Sequence, residues 1–337
     1  MNRSAALLAT VLLTLAPPLA AGDDALSLVP PDAAAVGLIR VADLRTSPLF
    51  DRVFAGTERL SGDAEAARFL EEVRLDPKQD VDLVVVAGSP KGAGPAGGIA
   101  AFEGRFEAAK LAAATASRGG VRKSTAGADY YLLPEHGTGM DHDPGAVAFL
   151  SNRLIVAGSE SAVVGALTRR AAGGGGFAAG AGLGSSLSRV DTKASAWAVV
   201  DVARTPAGPA GKRVRAEGTV EGRRLHAEGS FDEPALAVVS AMKSVSLLAF
   251  SATTEGDALK LSVTGVAADA ETRQNLGDAV RGVLAVWRMA AQEKHPDLVP
   301  VLRRFQVSEG KDSVTLSGTL PGQTVRELAA RKGHVAK

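Results

Sequence analysis

The sequence predicts an α+β fold built from two sequential modules, each an antiparallel sheet covered by helices. Three observations carry this reading. Short apolar runs of strand length alternate with amphipathic stretches in both halves. Residues 173–184 hold seven glycines in twelve positions, a composition that does not easily hold regular structure and marks a boundary. Short motifs in one half also resemble motifs in the other.

The chain opens with Met1-Asn2-Arg3 and an uncharged apolar run from Ala5 to Ala16. That is the length of a signal-peptide core and shorter than the roughly 20 residues a membrane span needs. Pro17-Pro18 break the run, and Ala20-Ala21-Gly22 supply small residues for cleavage, so residues 1–22 read as a signal peptide and the mature chain begins near Asp23. The expected location is therefore the periplasm or the exterior, with no stable membrane anchor after cleavage. There is no cysteine, so neither a disulfide nor a lipidated thiol can contribute. Loss of Arg3 reduces the 38 basic residues to 37, equal to the 37 acidic ones. A basic excess that would signal a nucleic-acid partner is lacking.

The first module is expected over residues 23–172. Leu28-Val29-Pro30-Pro31-Asp32 is an extended lead-in, and Ala35 to Leu44 reads as a buried strand. Leu49, Val53, Phe54, Leu60, Phe69, Leu70 and Val73 suit amphipathic helices broken near Gly62. Val81–Ala87 and Gly98–Phe102 read as strands, and Phe106–Ser117 as an Ala-rich helix stopped by Gly119-Gly120. A hairpin turns on Ala126-Gly127-Ala128, two more strands flank Ser151-Asn152-Arg153, and a helix runs from Ser159 to Ala171.

A glycine-rich linker, 173–190, leads to the second module, 191–337. Ala194–Ala203 reads as a strand, followed by a hairpin about Glu221-Gly222 and a short helix over Pro234–Met242. Alternating Leu259, Leu261 and Val263 mark one strand of a hairpin with Val245–Thr253. Asp269 caps a long helix whose apolar face is Leu276, Val280, Val283, Leu284 and Trp287. A last hairpin, 306–320, precedes a closing helix, 321–331. Val41-Ala42 matches Val202-Ala203 at the close of each first strand, and the Gly127 turn matches the Gly310 turn. These matches are short and leave both duplication and separate origin open.

Pro30-Pro31-Asp32, Leu75-Asp76-Pro77 with Asp80-Val81-Asp82, and Phe102-Glu103-Gly104-Arg105-Phe106 together resemble uncharacterised exported proteins of soil bacteria. The resemblance implies export and brings no activity, cofactor or catalytic residue with it.

The densest set of metal-ligand types is the loop Glu135 to Gly145. His136, Asp141, His142 and Asp143 are its candidate ligands for zinc or another divalent ion, against the plainer reading of a solvated connection. Ser240-Ala241-Met242-Lys243 matches S-x-x-K but lacks its companion elements, and Ser159 reads as a helix cap rather than a nucleophile. Lys212, Arg213, Arg215, Arg223 and Arg224 form a basic cluster diluted by Glu217, Glu221 and Glu228. With no complete catalytic set and no cofactor motif, the expected function is a non-catalytic envelope or extracellular module that binds a protein or envelope ligand. The alternative is a secreted hydrolase, metal-dependent through the 135–143 loop.

Overall fold

The computed structural model describes residues 23–49, 64–90, 97–134, 144–173, 177, 182–205, 218–220, 223–225, 245–294 and 296–332. The predicted helix over Pro234–Met242 lies outside them.

The elements follow in chain order: α1 (Asp23–Ser27), β1 (Ala35–Arg40), α2 (Val41–Arg45), α3 (Ala64–Val73), α4 (Pro77–Asp80), β2 (Val81–Gly88), β3 (Gly98–Gly104), α5 (Ala108–Ser117), β4 (Val121–Thr125), β5 (Ala128–Leu132), β6 (Gly145–Ser151), β7 (Leu154–Ser159) and α6 (Glu160–Ala171). A 3-10 helix, Gly182–Arg189, leads into β8 (Ala196–Asp201), the small hairpin β9 (Gly218–Val220) and β10 (Arg223–Leu225), then β11 (Val245–Glu255), β12 (Ala258–Ala267) and α7 (Ala270–Lys294). The chain ends through α8 (Val299–Leu302), β13 (Gln306–Glu309), β14 (Ser313–Pro321) and α9 (Gly322–Lys332).

Twelve strands form one antiparallel sheet in the order β13-β14-β12-β11-β8-β1-β2-β3-β7-β6-β5-β4. The mixed helix-and-sheet class is as predicted, but the two halves do not carry separate sheets: β1 and β8 pair along their length and join them. Their register has a local two-fold, because Ala35 pairs with Val200 and Ile39 with Ala196 on either side of Gly37 and Ala198. Each strand leaves the other only one free edge, so the ladder of backbone donors and acceptors runs unbroken across the chain.

Outward from that pair the order repeats. β1-β2-β3 is closed by β7, the last strand of the first half, and β8-β11-β12 is closed by β14, the last strand of the second. A helix follows the third strand in each case, α5 and α7, and another follows the closing strand, α6 and α9. The Val41-Ala42 and Val202-Ala203 match sits where this correspondence places it. The other expected match does not: the Gly127 turn joins β4 to β5, whereas the Gly310 turn occupies the place of Ser151–Arg153 in the first half.

One sheet face carries the main core, with Val36, Leu38, Val85, Val156, Trp197 and Val199 all at most 2% exposed. Leu28 and Val29 near α1, Val163 and Leu167 from α6, and Leu183 from the 3-10 helix seal it. Phe177 and Leu183, the two large apolar residues of the glycine-rich stretch, are core residues. Ala25 N–H donates to the buried Glu103 carboxylate at 2.8 Å and fastens α1 to β3. Across the second half this face turns polar, and Thr264 and Thr315 bond hydroxyl to hydroxyl at 2.9 Å.

The opposite face is covered at two places. Val41, Leu44, Val73, Phe106 and Leu111 pack with Ile155 on one side, and Leu276 with Val245 and Val314 on the other. The strand and turn members of the second cluster, Val245, Leu248, Val314, Val307 and Val202, occupy positions that the shared pairing order equates with Val81, Val84, Ile155, Val147 and Val41 of the first. The predicted strand Ala35–Leu44 ends at Arg40. Val41 and Leu44 turn into α2 because a helical turn buries both on one side, and Arg45 donates to the carbonyls of Lys78 and Val81.

Candidate functional site

Between the two helical covers lies a stretch of sheet that no helix among the described residues covers. Residues paired across antiparallel strands share a face, so the registers place Ala100, Val86, Gly37, Ala198, Phe250, Val263 and Leu316 in one continuous row. Every member is apolar or glycine. Val86 is 48% exposed, Phe250 36% and Val263 38%, and Ile39, beside the row, is 42% exposed. The row crosses the local two-fold at Gly37 and Ala198, where small side chains keep the surface shallow. A Cβ on Gly37 would come within 3.3 Å of a Val86 methyl.

One side of this stretch is bounded by α7. Its Leu276 lies against Gly265 of β12, while its Arg273 and Arg281 reach Glu309 of β13 at the sheet edge. Seven-residue spacing puts Trp287 on the same stripe of α7 as Arg273 and Val280. Trp287 is 57% exposed, so it does not join the buried face that its spacing predicts. Singly exposed apolar side chains are ordinary, but a contiguous exposed apolar patch marks an interaction surface.

Polar groups elsewhere act as clasps. Glu160, in the first turn of α6, accepts from the Tyr130 hydroxyl at 2.8 Å and from Lys123 Nζ at 2.9 Å, tying the β4–β5 hairpin to the helix. Burial raises the Tyr130 phenol, and the bond to Glu160 raises Lys123. Arg169 donates to the Leu28 carbonyl at 3.0 Å, and burial lowers its guanidinium. Arg189 forms a two-pronged pair with Asp312, at 2.6 and 2.5 Å, which holds the Asp312 carboxyl below the usual carboxylate range.

The candidate metal ligands His136, Asp141, His142 and Asp143 lie outside the described residues, as do Ser240 and Lys243 and the cations Lys212, Arg213 and Arg215. So do all five histidines. Among the described residues no group of three or more potential ligands is placed to hold a metal. Leu133 N–H donates to the Gly145 carbonyl at 2.8 Å, so the loop's two ends meet. Arg223 and Arg224 lie on β10, in the hairpin predicted about Glu221-Gly222. Ser159 stands at the N-cap of α6 as expected, although its hydroxyl makes no capping bond and lies 3.4 Å from that of Ser161. Among the described residues no helix is long and apolar enough to cross a membrane.

The apolar row was missed by sequence reasoning. Leu38-Ile39 and Val84-Val85-Val86 are apolar on both faces, which reads as strands buried on both sides. Nothing in that pattern tells which face stays bare.

No family model matches the chain, and no curated protein matches it. Among solved structures it is similar to crystal form III of TP0453, at TM-score 0.48 and 10% identity over 90% of this chain and 96% of that one. It is also similar to crystal form IV of TP0453, at TM-score 0.48 and 11% identity over 93% and 97% of the two chains. For crystal form I the values are 0.46 and 9%, over 94% and 99%.

Proposed function

We propose that this chain is an exported, non-catalytic protein of the periplasm or exterior that binds a protein or envelope ligand through the bare apolar face of its sheet. The observation that carries the reading is the row from Val86 through Gly37 and Ala198 to Phe250 and Val263, left open between two helical covers. Such a surface keeps apolar area in contact with water until a partner covers it. Export rests on the apolar leader and its small-residue exit, and on the resemblance to exported proteins of soil bacteria. The compartment and the surface together suit a partner in the envelope.

We further propose that residues 23–172 and 191–337 are two copies of one module. The repeated strand order, the two-fold register between β1 and β8, and the matching positions under the helical covers support it.

The test compares envelope pull-downs by the exported protein and by a Val86→Ser, Phe250→Ser double variant with unchanged melting behaviour. The reading expects a partner captured by the first and lost by the second. Equal capture by both would place binding elsewhere.

A further inference from the structure

A second feature lies at one end of the sheet, apart from the bare face. Four connections converge there: the end of α3, the turn of α4, the β3–α5 junction and the β6–β7 turn. Between them is a cleft of about 410 Å³. Its apolar lining includes Val73, Phe106 and Leu111, each at most 6% exposed. Arg74, Arg105 and Arg153 also line it.

The cations are not balanced by the acids beside them. Asp80 accepts the Asp76 N–H at 2.8 Å, and Glu107 leaves three guanidinium groups against two carboxylates. Arg105 donates to the Gln79 carbonyl. Among the described residues the side chains of Arg74 and Arg153 have neither a hydrogen bond nor an ion pair. At the corresponding end of the second half the cations are paired: Arg281 reaches Asp278 at 3.1 Å and Glu309 at 2.5 Å, and Arg273 lies 3.7 Å from Glu309.

Arg74 also occupies a costly backbone state. It follows the last residue of α3 with φ +56°, and Leu75 N–H reaches back to the Leu70 carbonyl at 2.9 Å. That is the left-handed helix-ending position where glycine is the usual residue, because a Cβ is disfavoured there. An arginine held in this conformation at the rim of an arginine-lined cleft points from strain to use.

We infer that this cleft binds a carboxylate attached to an apolar body, the guanidinium groups taking the charge and Val73, Phe106 and Leu111 the apolar part. Arginine suits this task because its planar fork matches a carboxylate. The same chemistry could come from a free aliphatic acid or from the end of a peptide, and two probes separate them.

Calorimetric titration of the full chain with hexanoate and with N-acetyl-leucine is expected to show saturable binding of at least one, and the tighter one names the source. Arg74→Gly is expected to keep or raise the melting temperature, since glycine relieves the left-handed strain, while weakening binding about tenfold through loss of one charge-assisted contact. Arg153→Gln is expected to weaken it similarly. The inference is overturned if neither probe binds, if hexanol or inorganic phosphate binds as well as the acids, or if Arg74→Gly and Arg153→Gln leave affinity unchanged.

Discussion

Leu38 and Ile39 are neighbours on β1, yet they face opposite sides of the sheet and differ in exposure, 1% against 42%. Alanine at either position removes three carbon groups. At about 0.8 kcal/mol per buried group this is about 2.4 kcal/mol for a fully buried side chain. At Leu38 the surrounding core, including Val85 and Trp197, cannot collapse fully into the space, so a cavity adds to the transfer loss and Leu38→Ala should cost about 3–5 kcal/mol. At Ile39 only the unexposed part counts and no closed cavity forms, which gives Ile39→Ala about 1.4 kcal/mol or less. Urea unfolding of both variants measures the difference, with the midpoint shifting at constant slope. A loss at Ile39 equal to that at Leu38 would mean that the face holding Ile39, Val86 and Phe250 is covered, and the binding argument would fall with it.

Other consequences follow from single contacts. Glu103→Ala leaves the Ala25 N–H without its buried acceptor and should lower stability by about 1–3 kcal/mol, with protease cutting first near residues 23–29. Gly158→Ala places a Cβ against the Gly98 backbone carbonyl where β3 and β7 pair, and overpacking there should cost about 1–3 kcal/mol in urea unfolding. Asp312 is held below its ordinary range by Arg189, so its contribution to stability is full above the usual carboxylate range and is lost as pH falls through the depressed value. The melting temperatures of the native chain and of Asp312→Asn should therefore differ at neutral pH and converge in acid. Zinc added to metal-free protein should leave the melting temperature unchanged. A rise abolished by His136→Ala with His142→Ala would turn the account toward the metal-dependent alternative.

The class of fold was legible because its signals are local. Alternation at Leu259, Leu261 and Val263 marks a strand with one apolar face, and β12 is that strand. Asp269 caps α7 as predicted, donating nothing and accepting the Thr272 N–H at 2.7 Å. The joining of the halves was not legible, since β1 and β8 meet through backbone groups that every residue carries. For the same reason the bare row could not be read. The exposure of Val86 and Phe250 depends on where α2 and α7 stop, and a short apolar run looks alike whether one face is covered or both. Trp287 illustrates the converse: its helical phase is apolar, yet it stands 57% exposed between the buried Leu284 and Ala291. At Arg74 the sequence offers no glycine to announce a left-handed residue, and only Pro77 hints that the helix has ended. The loop at 135–143, where sequence reasoning placed metal ligands, lies outside the described residues.

The most direct measurement is site-specific photocrosslinking in the envelope of living cells, with a benzophenone side chain introduced at Phe250 or, as the control, at Ser262 on the opposite face of the sheet. A discrete adduct from position 250 that is absent from position 262, and that disappears when Ile39 and Val86 become serine, is the predicted result. No adduct from position 250, or the same adduct from both positions, would contradict a binding role for the bare apolar face.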